Sequence, residues 1–247
     1  MIDLISHKSL FTPPERLTPH TFWQEHIPFG MYLISALRPR LVVELGTHYG
    51  DSYCAFCQTV KALNLKTLCY AVDNWKGDLH YGEYGEEVLS DLRAHHDPRY
   101  ADFSVLLRSE FESARAQFRD GVIDLLHIDG THTYEAVKRD FELWLPKMSE
   151  RGVVLLHDTN VVQENFGVIR YFAELKSRYP HFEFLHGYGL GIIGVGAEPP
   201  EEARALFSLS KQEGDEVREI FANFGRGLTE RLEREKALRN QVARQNQ

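Results

Sequence analysis

Five short apolar runs, each followed by a stretch of helical periodicity, constrain this chain more than any other feature. They occupy 41–45, 67–72, 103–107, 123–128 and 152–156. Each is nearly continuous in Val, Leu, Ile, Ala or Phe, the pattern of strands buried on both faces of a parallel sheet. Helical patterns near 51–63, 84–96, 109–119 and 134–144 separate them. Strand and helix alternating in this way predict an α/β fold: a doubly wound, mainly parallel Rossmann-like sheet. Ahead of the first run, Met31, Ile34 and Leu37 predict a helix over 30–37 that Pro39 stops. After a helix near 166–178, the runs 182–186 and 190–195, parted by Gly187 and Gly189, predict a closing antiparallel hairpin.

Three regions follow from this reading. Residues 1–29, punctuated by Pro13, Pro14, Pro19 and Pro28 and carrying Trp23 and Phe29, form an arm or lid over the domain. Residues 30–198 form the α/β domain itself. Residues 199–247 form a helical extension, with Val217, Ile220, Phe221, Phe224, Leu228 and Leu232 at helical spacing. Those positions drift against a strict heptad, so packing on the same domain or on a partner is expected, with self-association or attachment to a further module as the role.

Composition narrows the classes of function. With 247 residues and 43% hydrophobic content the chain can bury one sizeable core. A formal charge of −8 argues against a nucleic-acid partner. No secretory leader and no bilayer-length apolar run are seen, so no membrane span and a cytoplasmic setting are expected. Cys54, Cys57 and Cys69 are an odd number of cysteines; Cys54 and Cys57 read as buried helix residues rather than half of a metal or redox site.

The chemistry gathers where strands end. Gly46 and Gly50 occupy the turn after the first strand, where a glycine lets a ligand approach the backbone and the next helix offers free N–H groups. Asp73 closes the second strand, where an acid can accept hydrogen bonds from ribose hydroxyls. Thr47 and His48 between the glycines, and Glu44 before them, depart from a dinucleotide turn. A carboxylate there repels a pyrophosphate but favours a cofactor with a sulfonium and an ammonium group.

Ligands of open parallel sheets bind beyond the carboxyl ends of the strands, where Glu44, Asp73, Asp129, His132, His157 and Asp158 all fall. Asp129 and Asp158 follow strands expected to be adjacent, so they could share a divalent cation with His157 as a nitrogen ligand. His132 could act as general base.

With these motifs on the page, the chain resembles the class I S-adenosylmethionine-dependent methyltransferases. Within them it is similar to the Methyltransf_24-type branch, related to catechol and macrolide-sugar O-methyltransferases, over roughly residues 22–196. The family's E-x-G-x-x-x-G turn corresponds to Glu44, Gly46 and Gly50, with Thr47 inside it. Its I-D-G-x-H segment corresponds to 128–132 and its H-D pair to His157 and Asp158. The resemblance implies S-adenosyl-L-methionine as cofactor, held by Glu44, Gly46, Thr47, Gly50, Asp73 and Asp129, with Ser109 near the adenine. It also implies catalysis by His132 and Asp129. Magnesium-binding sugar-modifying relatives carry two adjacent acids where this chain has His157 then Asp158, a departure that favours Mn2+ over Mg2+ among Asp129, His157 and Asp158.

The loop 73–84 mixes Trp75, His80, Tyr81 and Tyr84 with acids and an amide, which suits a sugar, glycan or other polyhydroxylated acceptor. O-methylation of such a hydroxyl is the leading expectation. Three alternatives stand beside it: a phenolic or catechol acceptor, a cofactor-binding scaffold without catalysis, and a non-haem iron hydroxylase using His132, His157 and Asp158 as a facial triad.

Overall fold

The computed structural model describes residues 2–20, 22–78, 80 and 82–245. Seven strands make the main sheet: β1 (Leu41–Leu45), β2 (Leu68–Asp73), β3 (Ser104–Arg108), β4 (Ile123–Ile128), β5 (Met148–His157), β6 (His181–Phe184) and β7 (Leu190–Gly194). Their spatial order is β3-β2-β1-β4-β5-β7-β6. The first five are parallel, and β7 runs antiparallel between β5 and β6, as the closing hairpin predicts.

The register brings the chemistry to one edge. Leu45 pairs with Val72 and with Ile128, and Ile128 pairs with Leu156. Gly46, Asp73, Asp129 and His157 therefore stand level where the strands end. The order in which strands are added to the sheet reverses between β1 and β4, so the crevice opens there.

Among the described residues eight α-helices flank the sheet: α1 (Ile27–Leu37), α2 (Asp51–Ala62), α3 (Glu86–Tyr100), α4 (Phe111–Ala114), α5 (Tyr134–Trp144), α6 (Val168–Lys176), α7 (Glu201–Phe207) and α8 (Lys211–Gln245). One apolar core lies on the α1, α2 and α8 side and a second on the α5 and α6 side. All eleven residues of α1 are buried, and it starts earlier than the spacing predicts because Pro28 suits the first turn of a helix. Left-handed Arg38 ends it. The expected helix over 109–119 is only α4 followed by a 3-10 turn at Arg115–Gln117, since the Ser109 amide is bonded to the Asp73 carbonyl.

The N-terminal segment packs against α1, α2 and α8. Its 3-10 turn Gln24–His26 lies against α8 so closely that a Cβ on Gly225 would fall 2.3 Å from the Glu25 carbonyl oxygen. Phe221 of α8 fills the space between Phe29, Tyr32 and Phe184. Burying such a ring contributes about 1.5–3 kcal/mol. No helix among the described residues is long and apolar enough to cross a membrane.

Candidate active site

The turn after β1 is shaped by contacts that only glycine permits. Gly46 has φ +85°, and a Cβ there would lie 2.1 Å from the Asp129 carbonyl oxygen. Gly50, at φ +79°, caps α2 and abuts Leu92. Asp73, buried at the end of β2, accepts the amides of Thr47 (2.8 Å) and His48 (2.9 Å) on one carboxylate oxygen and that of Trp75 (2.7 Å) on the other. The acid expected to meet a ribose thus also ties the turn to its own loop.

A cavity of about 350 Å³ opens beside this turn. Gly46, Thr47, Gly50, Asp73 and Asp129 all line it. Thr18, His20, Phe22 and Trp23 of the arm close one end, while Glu110, Phe111, Glu112, Thr131 and Asp140 wall the other.

Two expected cofactor residues do not line the cavity. Glu44 sits two residues inside the sheet, level with His127, and is fully buried. Its Oε2 accepts the Nδ1 proton of His127 at 2.8 Å, and His127 Nε2 accepts the Trp23 indole N–H at 3.1 Å. Burial raises the Glu44 pKa, with the His127 hydrogen bond opposing it. Glu44 braces the arm beneath the turn. Ser109 is half-buried, and its hydroxyl donates to the Glu110 carbonyl at 3.0 Å. The residues that follow it take the wall instead.

Beyond Asp129 lies a buried cluster of two acids and two imidazoles. His132 Nε2 is 2.8 Å from Asp158 Oδ2 and 3.6 Å from Asp129 Oδ1. Burial alone would depress the His132 pKa, but hydrogen bonds to Asp129 and Asp158 outweigh it and push the value up to about 9. His157 turns Nδ1 toward Asp129 Oδ1 (3.3 Å) and Asp158 Oδ1 (3.4 Å), and Nε2 toward the Gly187 carbonyl (3.2 Å). Carboxylate and carbonyl oxygens only accept, so both nitrogens carry protons and the ring is a cation. Desolvation opposes that charge, yet the two carboxylates hold the His157 pKa well above its ordinary value. Against the desolvation that would raise it, His157 draws Asp158 down to about 2.

His157 is thus placed as the ion-pair partner of both acids. Ligand atoms of Asp129, His132 and Asp158 do lie within 4.8 Å of one another and could hold an ion.

The acceptor loop is corrected in part. Trp75 is 1% exposed and donates its indole N–H to the His48 carbonyl, so it belongs to the core. Tyr84 lines the cavity beside His48. The expected contribution of Tyr81 lies outside the described residues. His80 stands edge-on to His132 at 5.2 Å, and Phe166 stacks flat on His132 at 4.9 Å and 8°. Phe166, in the loop after β5, had no signal in the sequence. Asp140 did: it is an acid in the apolar stripe Ala136, Val137, Phe141 and Trp144 of α5.

Residues 43–159 match the sequence profile of a family described as a methyltransferase domain. They carry a methyltransferase domain. The chain is also 51% identical over 188 residues to the uncharacterised protein y4gI of Sinorhizobium fredii. That match takes 76% of this chain and 21% of y4gI, so the chain spans about a fifth of that relative's length. Among solved structures, a Staphylococcus aureus protein described as a caffeoyl-CoA O-methyltransferase is similar with TM-score 0.55 at 16% identity, covering 72% of this chain and 85% of that one. A Podospora anserina methyltransferase with bound S-adenosylhomocysteine gives TM-score 0.54 at 12% identity, covering 77% and 93%. At such identities the two structures speak for the fold alone.

Proposed function

We propose that this chain moves a methyl group from S-adenosyl-L-methionine to a hydroxyl oxygen of a sugar, glycan or other small polyhydroxylated acceptor. The observation that carries the reading is the buried His132–Asp158 pair standing beside Asp129, the member of the cluster that lines the cavity. The cofactor fits the cradle: Gly46 and Gly50 give the backbone close approach, the start of α2 offers amides, and Asp73 shares its acceptor oxygens with a ribose. When bound, the cofactor supplies an electrophilic methyl carbon, which the acceptor oxygen takes in line as the C–S electron pair returns to sulfur.

Alcohol oxygens are poor nucleophiles until their proton is removed. Asp158 accepts the Nε2 proton of His132, which sets the tautomer so that Nδ1 takes the acceptor's proton. The His157 imidazolium neutralises Asp129 and Asp158, two acids that would otherwise repel each other and draw the His132 proton more tightly.

A second reading is favoured by the spacing of Asp129, His132 and Asp158, in which Mn2+ or Mg2+ sits among them. His132 would then be a ligand and could not serve as base. Chelator separates the two: turnover that survives it in metal-free protein supports His132 acting alone, and loss restored by Mn2+ supports the ion.

The acceptor class rests on the cavity rim, where His20 stacks on Tyr49 at 4.4 Å and Tyr84 lies near His48. Flat faces beside imidazole and hydroxyl groups suit a carbohydrate. Label from methyl-tritiated S-adenosylmethionine should enter an extracted glycan fraction and not a panel of catechols; the reverse would reassign the acceptor. The exposed half of α8 is the surface we assign to self-association or to a further module. The free, buried cysteines fit a cytoplasmic setting.

A further inference from the structure

The His132 ring is held at two points that lie across it from one another. Cγ joins it to the chain, and on the far side Nε2 meets Asp158 Oδ2 at 2.8 Å. A ring held at two such points can still swing about the line between them, and Nδ1 lies off that line. Asp129 does not stop the swing, because its Oδ1 faces the same nitrogen, at 3.6 Å.

Phe166 does. Its ring lies on the imidazole face with centroids 4.9 Å apart and planes 8° from parallel. Flat rings packed face on face leave neither one room to tilt. His80 closes the group edge-on, 5.2 Å from His132 and 4.4 Å from Phe166. Phe166 is half-buried and belongs to neither apolar core among the described residues, so packing of the sheet and helices does not account for its place.

The backbone carries Phe166 to that face. The Gly167 amide, next in the chain, donates to the His132 carbonyl at 2.7 Å. Such an approach needs glycine, since a Cβ there would fall 2.2 Å from the Tyr134 nitrogen. The loop therefore leaves β5 at Asp158, which holds Nε2, and returns to His132 at Phe166, which holds the plane of the ring.

We propose that Phe166 is a positioning residue that fixes the plane of His132 and keeps Nδ1 aimed at the acceptor hydroxyl. The inference rests on the reading of His132 as base.

Transfer of label from methyl-tritiated S-adenosylmethionine to the extracted glycan fraction, measured over a range of both concentrations, tests this. Phe166→Leu and Phe166→Met stay apolar but lose the flat face. Each should lower kcat about tenfold or more, since a shift of about 1 Å in a reacting group can cost a hundredfold. The KM for the cofactor should stay within about twofold, and the melting temperature should stay at the parent's value. Phe166→Tyr restores a flat face and should keep kcat within about threefold of the parent. An undiminished kcat in the Leu and Met variants would overturn the assignment. So would a Tyr variant as slow as the Leu one, or a fall in cofactor binding and melting temperature that tracks the fall in kcat. If the parent transfers no label, or His132→Ala matches it, the base reading fails and takes this inference with it, a result distinguishable because it involves no Phe166 variant.

Discussion

At the scale of single residues the account turns on His132. Its pKa of about 9 means that the imidazole is protonated at neutral pH and must lose that proton before it can accept another. Turnover by parent protein without metal should rise with pH up to about 9 and then level; a rate flat between neutrality and that value would exclude His132 as the base. The raised pKa has a second consequence. The folded state holds this proton more tightly than the unfolded chain, so its stabilising share is complete below the unfolded value near 6.5 and is lost as pH rises to about 9. Gly46 offers a test of the turn: with φ +85° and a Cβ 2.1 Å from the Asp129 carbonyl oxygen, Gly46→Ala must displace the strand ends. It should abolish S-adenosylhomocysteine binding in calorimetry and cost about 1–3 kcal/mol in denaturant unfolding.

Among elements, the strands were the most legible part of the sequence, because runs buried on both faces need no partner to be recognised. The glycine turn, Asp73 and Asp129 were legible for a related reason: each immediately follows such a run, and register carries run ends to one edge. The surroundings of Glu44 and His157 were not, since Glu44 lies inside β1 and His157, at the end of β5, still pairs with the closing hairpin. Glu44 is level with His127, and His157 with Leu190 on β7, so neighbouring elements claim their side chains before any ligand can. The arm was legible only as a covering segment. What ties it down is the chain Trp23–His127–Glu44, which spans 104 residues between its first two members. Trp23→Phe keeps the ring but leaves His127 Nε2 a buried acceptor without its donor. Urea unfolding should show a loss of about 1–3 kcal/mol at unchanged m. No loss would mean that the indole hydrogen bond is dispensable.

Taken as a whole, the described residues form an α/β sheet on which both the N-terminal segment and the first half of α8 pack. Val217 and Phe221 of that half are buried, whereas Glu230, Arg231 and Arg234 face solvent. Phe221→Ala should cost about 3–5 kcal/mol, read as a lowered melting temperature, while removal of residues 235–247 should leave that temperature unchanged. Light scattering on the same truncation checks the assignment of the exposed half, since an unchanged mass would remove self-association through it. The central claim, transfer of a methyl group to oxygen with His132 taking the proton, is tested most directly by label transfer from methyl-tritiated S-adenosylmethionine to hydroxylated glycans, comparing parent with His132→Ala. The account predicts incorporation by the parent and a fall of roughly a hundredfold or more in the variant at unimpaired S-adenosylhomocysteine binding. Equal incorporation by the two proteins would contradict it.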